Sequence, residues 1–312
     1  MATYLVTGGA GFIGSNIVHA LVAAGDCVRV VDDFSSGHRE NLDGIAQDIE
    51  LFEGTICDPA LLARALNGVD YCLHQAAIPS VPRSIDTPGL SNRANVEGSI
   101  NVFLAARDAG VKRVVFASSS SIYGDVEVVP TPEDMPLNPL SPYGVTKAAD
   151  EMYARVFSDL YGTDIVALRY FNVFGPHQDP KSQYAAVIPI FLTKMFAGQS
   201  PPVFGDGTQS RDFTYVDNVV RANLMACVVP GPIAGAYNIA CGDSTSVLDL
   251  VAMLNDILGT NLAPEFLPPR PGEITHSYAD ISRARQIIGF EPAVTLREGL
   301  ARTAEWFRGT LA

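Results

Sequence analysis

The 312-residue sequence predicts an α/β protein, a doubly wound parallel sheet with a smaller, irregular C-terminal lobe. Three observations predict it. Short β-rich apolar runs alternate with longer helical patterns through the first half, a glycine cluster falls between the first run and the first helical pattern, and after about residue 170 proline-rich loops separate shorter helices.

In chain order, Tyr4–Thr7 is the first strand, and Ile13–Ala24 is a helix stopped by Gly25. Val28–Val31 is the next strand, and a third precedes Gly54-Thr55-Ile56. Pro59–Leu66 is a helix capped by Asp58, and Tyr71–His74 is the fourth strand. Asn92–Ala109 is a helix ending at Gly110, and Val114–Ser118 and Ile165–Arg169 complete the alternation. Beyond it, Asp217–Val228 and Val247–Leu258 are helices among Pro201-Pro202, Pro268-Pro269 and Pro271. The expected division is residues 1–170 and 171–312, with some later segments returning to the main sheet. No repeat of fixed period interrupts this reading.

A hydrophobic content of 47% supplies a substantial core. The net charge of −13, from 21 basic and 34 acidic residues, disfavours nucleic acid and anionic membranes as partners. The five cysteines are odd in number and form no CxxC pair, which suits a reducing cytosol. Residues 2–25 are uncharged but lack a basic leader and are punctuated by glycines, so no signal sequence is expected. Pro230, Gly231 and Pro232 break the uncharged stretch 222–242, so no membrane span is expected. His74 reads as a strand-end packing residue, and His177 and His276 are too isolated to suggest a metal; none is expected.

TGGAGFIG, Thr7–Gly14, lies where backbone amides at a helix start can hold a pyrophosphate, and Gly8, Gly11 and Gly14 let the ligand approach. The next strand ends at Asp32-Asp33, with Asp32 18 residues after Gly14, near the spacing of a ribose-binding acid. The first domain is therefore a Rossmann-type dinucleotide domain. An acid that accepts from a 2′-hydroxyl repels a 2′-phosphate, so the expected cofactor is NAD.

In LSPYGVTK, Tyr143 and Lys147 lie one helical turn apart on a single face. A free phenol is a poor base at neutral pH, but a neighbouring ammonium and the positive nicotinamide both favour the phenolate. With NAD on the glycine loop, Tyr143 can take a proton from a secondary alcohol as its hydride leaves. Ser119 in FASSSSIYG, at the carboxyl edge of the sheet, can bridge alcohol and phenol.

At these residues the chain resembles the extended short-chain dehydrogenase/reductase family, specifically the UDP-hexose 4-epimerases. TGGAGFIG, SSSSIYG, SPYGVTK, RYFNVFGP, SRDFTYVDN and PPRPGEITHSYAD follow that family's order over essentially the whole chain. The resemblance implies Tyr143 as base, Lys147 as cofactor anchor and Ser119 as relay, with Ser120 and Ser121 beside it. It also implies cofactor contacts from Gly8, Gly11, Phe12, Ile13, Gly14, Asp32, Asp33, Ser35, Gly37, Thr55, Ile56, Ala76, Asn95 and Tyr170. A UDP-sugar would be held by Ser80, Asn172, Ala186, Val187, Arg211, Arg270 and Ser277, the two arginines answering its diphosphate. The family likeness further implies a homodimer pairing the helices near Asn92–Ala109 and Lys147–Tyr161.

Two departures stand out. Relatives commonly read Gly-Asp-Ile where this chain has Gly54-Thr55-Ile56, its acid coming only at Asp58. Many glucose/galactose-restricted relatives carry a bulky aromatic at Ser277, where a small residue opens space for an N-acetyl group. The implied activity is an NAD-dependent isomerase that interconverts UDP-glucose with UDP-galactose, and their N-acetylated counterparts, through a 4-keto sugar. Two alternatives stay open: a UDP-uronic acid 4-epimerase or decarboxylase, and a non-catalytic NAD(H) sensor that has no need for Ser119, Tyr143 and Lys147 together. A 4,6-dehydratase is disfavoured because relatives of that activity carry Thr-Asp-Glu at positions 119–121.

Overall fold

The computed structural model describes residues 1–126, 128–179, 186–269 and 275–311, so Arg270 lies outside the described residues. The first half runs β1 (Thr3–Thr7), α1 (Phe12–Ala23), β2 (Cys27–Asp32), β3 (Ile49–Glu53), α2 (Pro59–Ala65), β4 (Tyr71–His74), α3 (Val81–Asp86), α4 (Pro88–Asn92), α5 (Gly98–Asp108), β5 (Arg113–Ser119), α6 (Pro142–Tyr161) and β6 (Ile165–Tyr170). The second half runs β7 (Val173–Phe174), α7 (Val187–Phe196), β8 (Pro202–Phe204), β9 (Ser210–Arg211), β10 (Thr214–Tyr215), α8 (Val216–Val228), β11 (Gly235–Ile239), β12 (Thr245–Ser246), α9 (Val247–Leu258), β13 (Glu265–Leu267), β14 (His276–Ser277), α10 (Ser282–Ile288) and α11 (Leu296–Leu311).

Seven strands form one parallel sheet in the order β11-β6-β5-β4-β1-β2-β3. Helices cover both faces. One apolar layer joins Ile17, Val18 and Leu21 of α1 to Val219 and Ala222 of α8 and to Phe307 of α11. The opposite layer joins Leu61 and Leu62 of α2, Val102 and Phe103 of α5 and Phe157 of α6. Phe103 meets Phe116 and Phe157 edge-on at centroid distances of 5.5 and 5.9 Å, pinning α5 to β5 and α6. Strand order reverses between β1 and β4, which opens a crevice at the carboxyl ends of these strands, the ligand side of such sheets.

The second lobe is not a separate layer, because β11 pairs along β6 from Gly235↔Val166 to Ile239↔Tyr170. Buried Arg113, at the start of β5, bonds Asp164 at 2.6 Å and the Ala226 carbonyl at 2.6 Å, tying the end of α8 beneath the sheet. The expected single helix over Asn92–Ala109 is corrected: α4 starts the helical run at Pro88, and Arg93–Glu97 form a π-helical turn before α5. The cause lies in tertiary contacts. Asn95, at the centre of the π turn, accepts from the Ile78 amide at 2.8 Å and donates to the Thr146 hydroxyl at 3.0 Å.

Candidate active site

The dinucleotide end begins with β1 turning into α1. Gly8 adopts φ +67°, and a side chain there would meet the Ala76 backbone at 2.7 Å. A side chain on Gly14 would lie 2.0 Å from the Gly8 carbonyl oxygen, so the helix packs directly on the loop. Gly11 caps α1 without a side-chain hydrogen bond, and no acidic residue occupies the first turn. The leading amides of α1, including Phe12 and Ile13, therefore meet no competing carboxylate, which fits a pyrophosphate of NAD.

Asp32 closes this end. Its Oδ2 accepts from the Ala10 amide and its Oδ1 from the Phe34 amide, each at 2.8 Å, and burial pushes its carboxyl upward. These bonds leave acceptor capacity for a ribose hydroxyl. Asp33 is exposed and accepts from the Ser35 amide at 2.9 Å, while Gly37 packs on Ala10. Thr55 accepts from the Cys57 amide at 3.2 Å, Ile56 is buried, and Asp58 caps α2 by accepting from Ala60 and Leu61. The acid at 58 is thus committed to its helix.

Of the remaining residues expected to contact the cofactor, Ala76 donates its amide to the Thr7 hydroxyl at 3.3 Å, and Tyr170 is buried with its hydroxyl on Gln75 and Asn223 at 3.1 Å each. Asn95 is fully buried with its amide committed to Ile78 and Thr146. His74 bridges the Thr7 hydroxyl at 2.7 Å and the Ser99 hydroxyl at 3.0 Å; burial first, and Lys147 second, push it down to about 3.

The expected base, Tyr143, lies on α6. Ser141 caps this helix by accepting from the Gly144 amide at 3.1 Å, and Pro142 fits its first turn. The Tyr143 amide donates to the Ser84 hydroxyl of α3 at 3.0 Å. A side chain on Gly144 would lie 2.6 Å from the Ser121 carbonyl oxygen, so the first turn of α6 sits hard against the serine run. Within that run, Ser119 Oγ donates to Ser121 Oγ and accepts from the Ser121 amide, both at 3.1 Å. Lys147 follows one turn after Tyr143 and is buried.

Beyond the serines opens a cleft of about 260 Å³. It brings together Ser120, Ser121, Asn172, Arg211 and Ser277 from the sequence expectations with Tyr123, Phe171 and His276, which those expectations did not assign to it. All three stand inside the quoted motifs SSSSIYG, RYFN and HSYAD, so position within a motif was the available signal. Asn172 takes φ +34°, and its side chain donates to the Asp212 carbonyl at 3.2 Å. Asp212 accepts from the Cys241 and Gly242 amides at 2.8 and 2.9 Å, bracing Arg211. Arg211 also donates to the Ser210 and Thr275 carbonyls at 2.8 and 3.3 Å. Among the described residues Ser80, Ala186 and Val187 do not line this cleft: Ser80 caps α3, Ala186 caps α7 and Val187 opens α7. No group of three or more His, Cys, Asp and Glu side chains is placed to hold a metal ion among the described residues.

Comparison with known proteins gives a consistent result. The family model described as "NAD dependent epimerase/dehydratase family" matches residues 4–240. The chain is 41% identical over 313 residues to the UDP-glucose 4-epimerase of Mycolicibacterium smegmatis, covering 97% of this chain and 98% of that one. The solved UDP-N-acetylglucosamine 4-epimerase of Methanobrevibacter ruminantium M1, in complex with UDP-N-acetylmuramic acid, superimposes with a TM-score of 0.95 at 40% identity and covers 99% of each chain. The UDP-glucose 4-epimerase of Thermotoga maritima, solved with UDP-glucose, gives a TM-score of 0.93 at 41% identity, covering 99% of this chain and 100% of that one.

Proposed function

The chain belongs to the NAD dependent epimerase/dehydratase family, as an NAD-using UDP-sugar 4-epimerase, and from that premise we propose that it interconverts UDP-glucose with UDP-galactose and UDP-GlcNAc with UDP-GalNAc. The observation that carries the choice of sugars is the cleft beyond the serine run, where Arg211 and Asn172 face the same space as the small Ser277. A short side chain there leaves room beside the C2 substituent.

In this reading Tyr143 takes the C4 hydroxyl proton, Ser119 bridges that hydroxyl to the phenol, and Lys147 favours the phenolate by its charge. NAD held by the glycine loop and Asp32 would supply a reversible hydride acceptor at C4, so that the hydride could be taken from one face of the sugar and given to the other. Arg211, with Arg270, grips the diphosphate while the 4-keto hexose turns over, and Tyr143 then returns its proton to the C4 oxygen. Residues 1–170 serve mainly the dinucleotide and residues 171–312 mainly the nucleotide sugar. All five cysteines are free, which favours a reducing cytoplasm as the place of action, and among the described residues no helix is long and apolar enough to cross a membrane.

The test offers UDP-glucose, UDP-galactose, their N-acetylated counterparts and UDP-glucuronate separately, with products identified by NMR. C4 epimers of the first four are expected. Turnover of the glucuronate alone would replace this substrate assignment. Tyr143→Phe is expected to lower turnover by at least about a hundredfold, the low end of what a positioned acid–base group contributes. Assay of nucleotide released on denaturation should find its NAD retained.

A further inference from the structure

Lys147 does not stand alone in its buried setting. Its Nζ lies 3.5 Å from Oδ2 of Asp150, three residues further along α6, with 3% of the lysine side chain and 0% of the aspartate side chain exposed. Neither Asp150 oxygen has a hydrogen-bond partner at ordinary geometry, although the Ser99 hydroxyl and the Lys147 ammonium both lie near enough to favour its charged form. The Ser99 hydroxyl on neighbouring α5 donates instead to the Asn95 carbonyl at 2.5 Å and pairs with His74 at 3.0 Å. Among the other charged or titratable groups nearby, Glu151 is held by Arg169 of β6 at 2.7 Å, and His74 of β4 is kept neutral by burial. Asp150 is therefore the counter-charge of the lysine. A carboxylate short of donors and sealed from water costs far more than an apolar side chain of the same size, unless its charge is used.

We propose that Asp150 is a positioning residue that keeps the Lys147 ammonium charged and in place one turn from Tyr143, and so sets the alkaline limit of turnover. The inference rests on the functional reading above for its catalytic consequence, and on geometry alone for the pair itself. An ammonium with little water around it keeps its proton by virtue of the adjoining negative charge, and without that charge the proton passes to solvent at lower pH, leaving a neutral amine. Burial pushes the Asp150 carboxyl up to about 6, with Lys147 opposing, so the carboxylate carries its charge on the neutral side of that value.

Asp150→Asn keeps the shape and removes the charge. Its pH profile of turnover on UDP-glucose should lose the alkaline limb about one pH unit earlier than wild type, a tenfold drop at a given pH on that limb, with bound NAD retained at the optimum. A profile of unchanged shape, lower only in height, makes Asp150 a packing residue and overturns the proposal. Thermal melting of wild type, Asp150→Asn, Lys147→Met and the double variant at pH 7.5 tests the pair without catalysis. Each single change should lower Tm by stranding one buried charge, and the double variant should regain most of the loss. Losses that simply add overturn the proposal. Should wild type leave every UDP-hexose unchanged, the functional reading falls while the melting cycle still decides whether the pair exists.

Discussion

His74 marks how burial converts an ordinary titratable group into a fixed neutral one. Its imidazole is wedged between Thr7 and Ser99 and holds a proton only below about 3, whereas an unfolded imidazole takes one up near roughly 6.5. The unfolded chain thus gains a proton first as pH falls. Stability contributed by the neutral histidine is complete above about 6.5 and declines below it, by about 1.4 kcal/mol per pH unit. Asp212, raised to about 6 by burial, works in the opposite sense: it favours the folded state as pH falls from about 6 toward about 4. His74→Asn should therefore remove this one loss, raising stability at pH 4.5 relative to pH 6.5 by about 2–3 kcal/mol over the wild-type change, read from urea midpoints at the two values. An unchanged difference would mean that the imidazole is protonated in the folded protein. Asp32 and Asp33 carry a related lesson. As sequence they are two adjacent acids at a strand end, and only the fold buries the first on two amides and leaves the second to solvent.

At the scale of elements, α6 carries the proposed base and its lysine, and the start of the helix decides where Tyr143 sits. Ser141 fixes the first turn through the Gly144 amide. Ser141→Ala should cost about 1 kcal/mol of stability. Because that turn is also braced on Ser84 and Ser121, the change should lower kcat several-fold more than it raises KM, checked by melting and steady-state kinetics. Strands β1, β2, β4, β5 and β6 were legible within about one residue at each end, since all lie inside a sheet covered on both faces and read as continuous apolar runs. The π turn at Arg93–Glu97 was not, because a 3.6-residue pattern does not register an extra residue accommodated by Asn95 reaching Ile78 and Thr146. The serine, tyrosine and lysine were legible because they are close in sequence. The cleft was legible only as motifs, because its walls come from separate stretches of chain, around residues 120–124, at Thr131, at Phe171 and Asn172, at Arg211, and at His276 and Ser277. The Lys147–Asp150 pair has the spacing of any exposed helical ion pair, and only burial distinguishes it.

At the scale of the molecule, an apolar stripe is exposed among the described residues of the helical side. Val145, Met152, Tyr153, Val156 and Leu160 of α6 stay open to solvent, joined by Ile85 of α3, with Leu160 69% exposed. Such a stripe on packed helices suits a second copy of the chain across a twofold axis, which we propose as the dimer contact. Light scattering should give a dimer mass for wild type and a lower, concentration-dependent mass for Met152→Asp; a monomeric wild type would remove the assignment. The pairing of β11 with β6 bears on how the molecule can be divided. All six residues of β6 are buried, and its outer row of amides and carbonyls is satisfied by a strand that arrives only after residue 234. A fragment cut at Tyr170 would carry a naked, apolar flank ready to zip onto its own copies, so the dinucleotide half depends on a strand from the far end of the chain to close its edge.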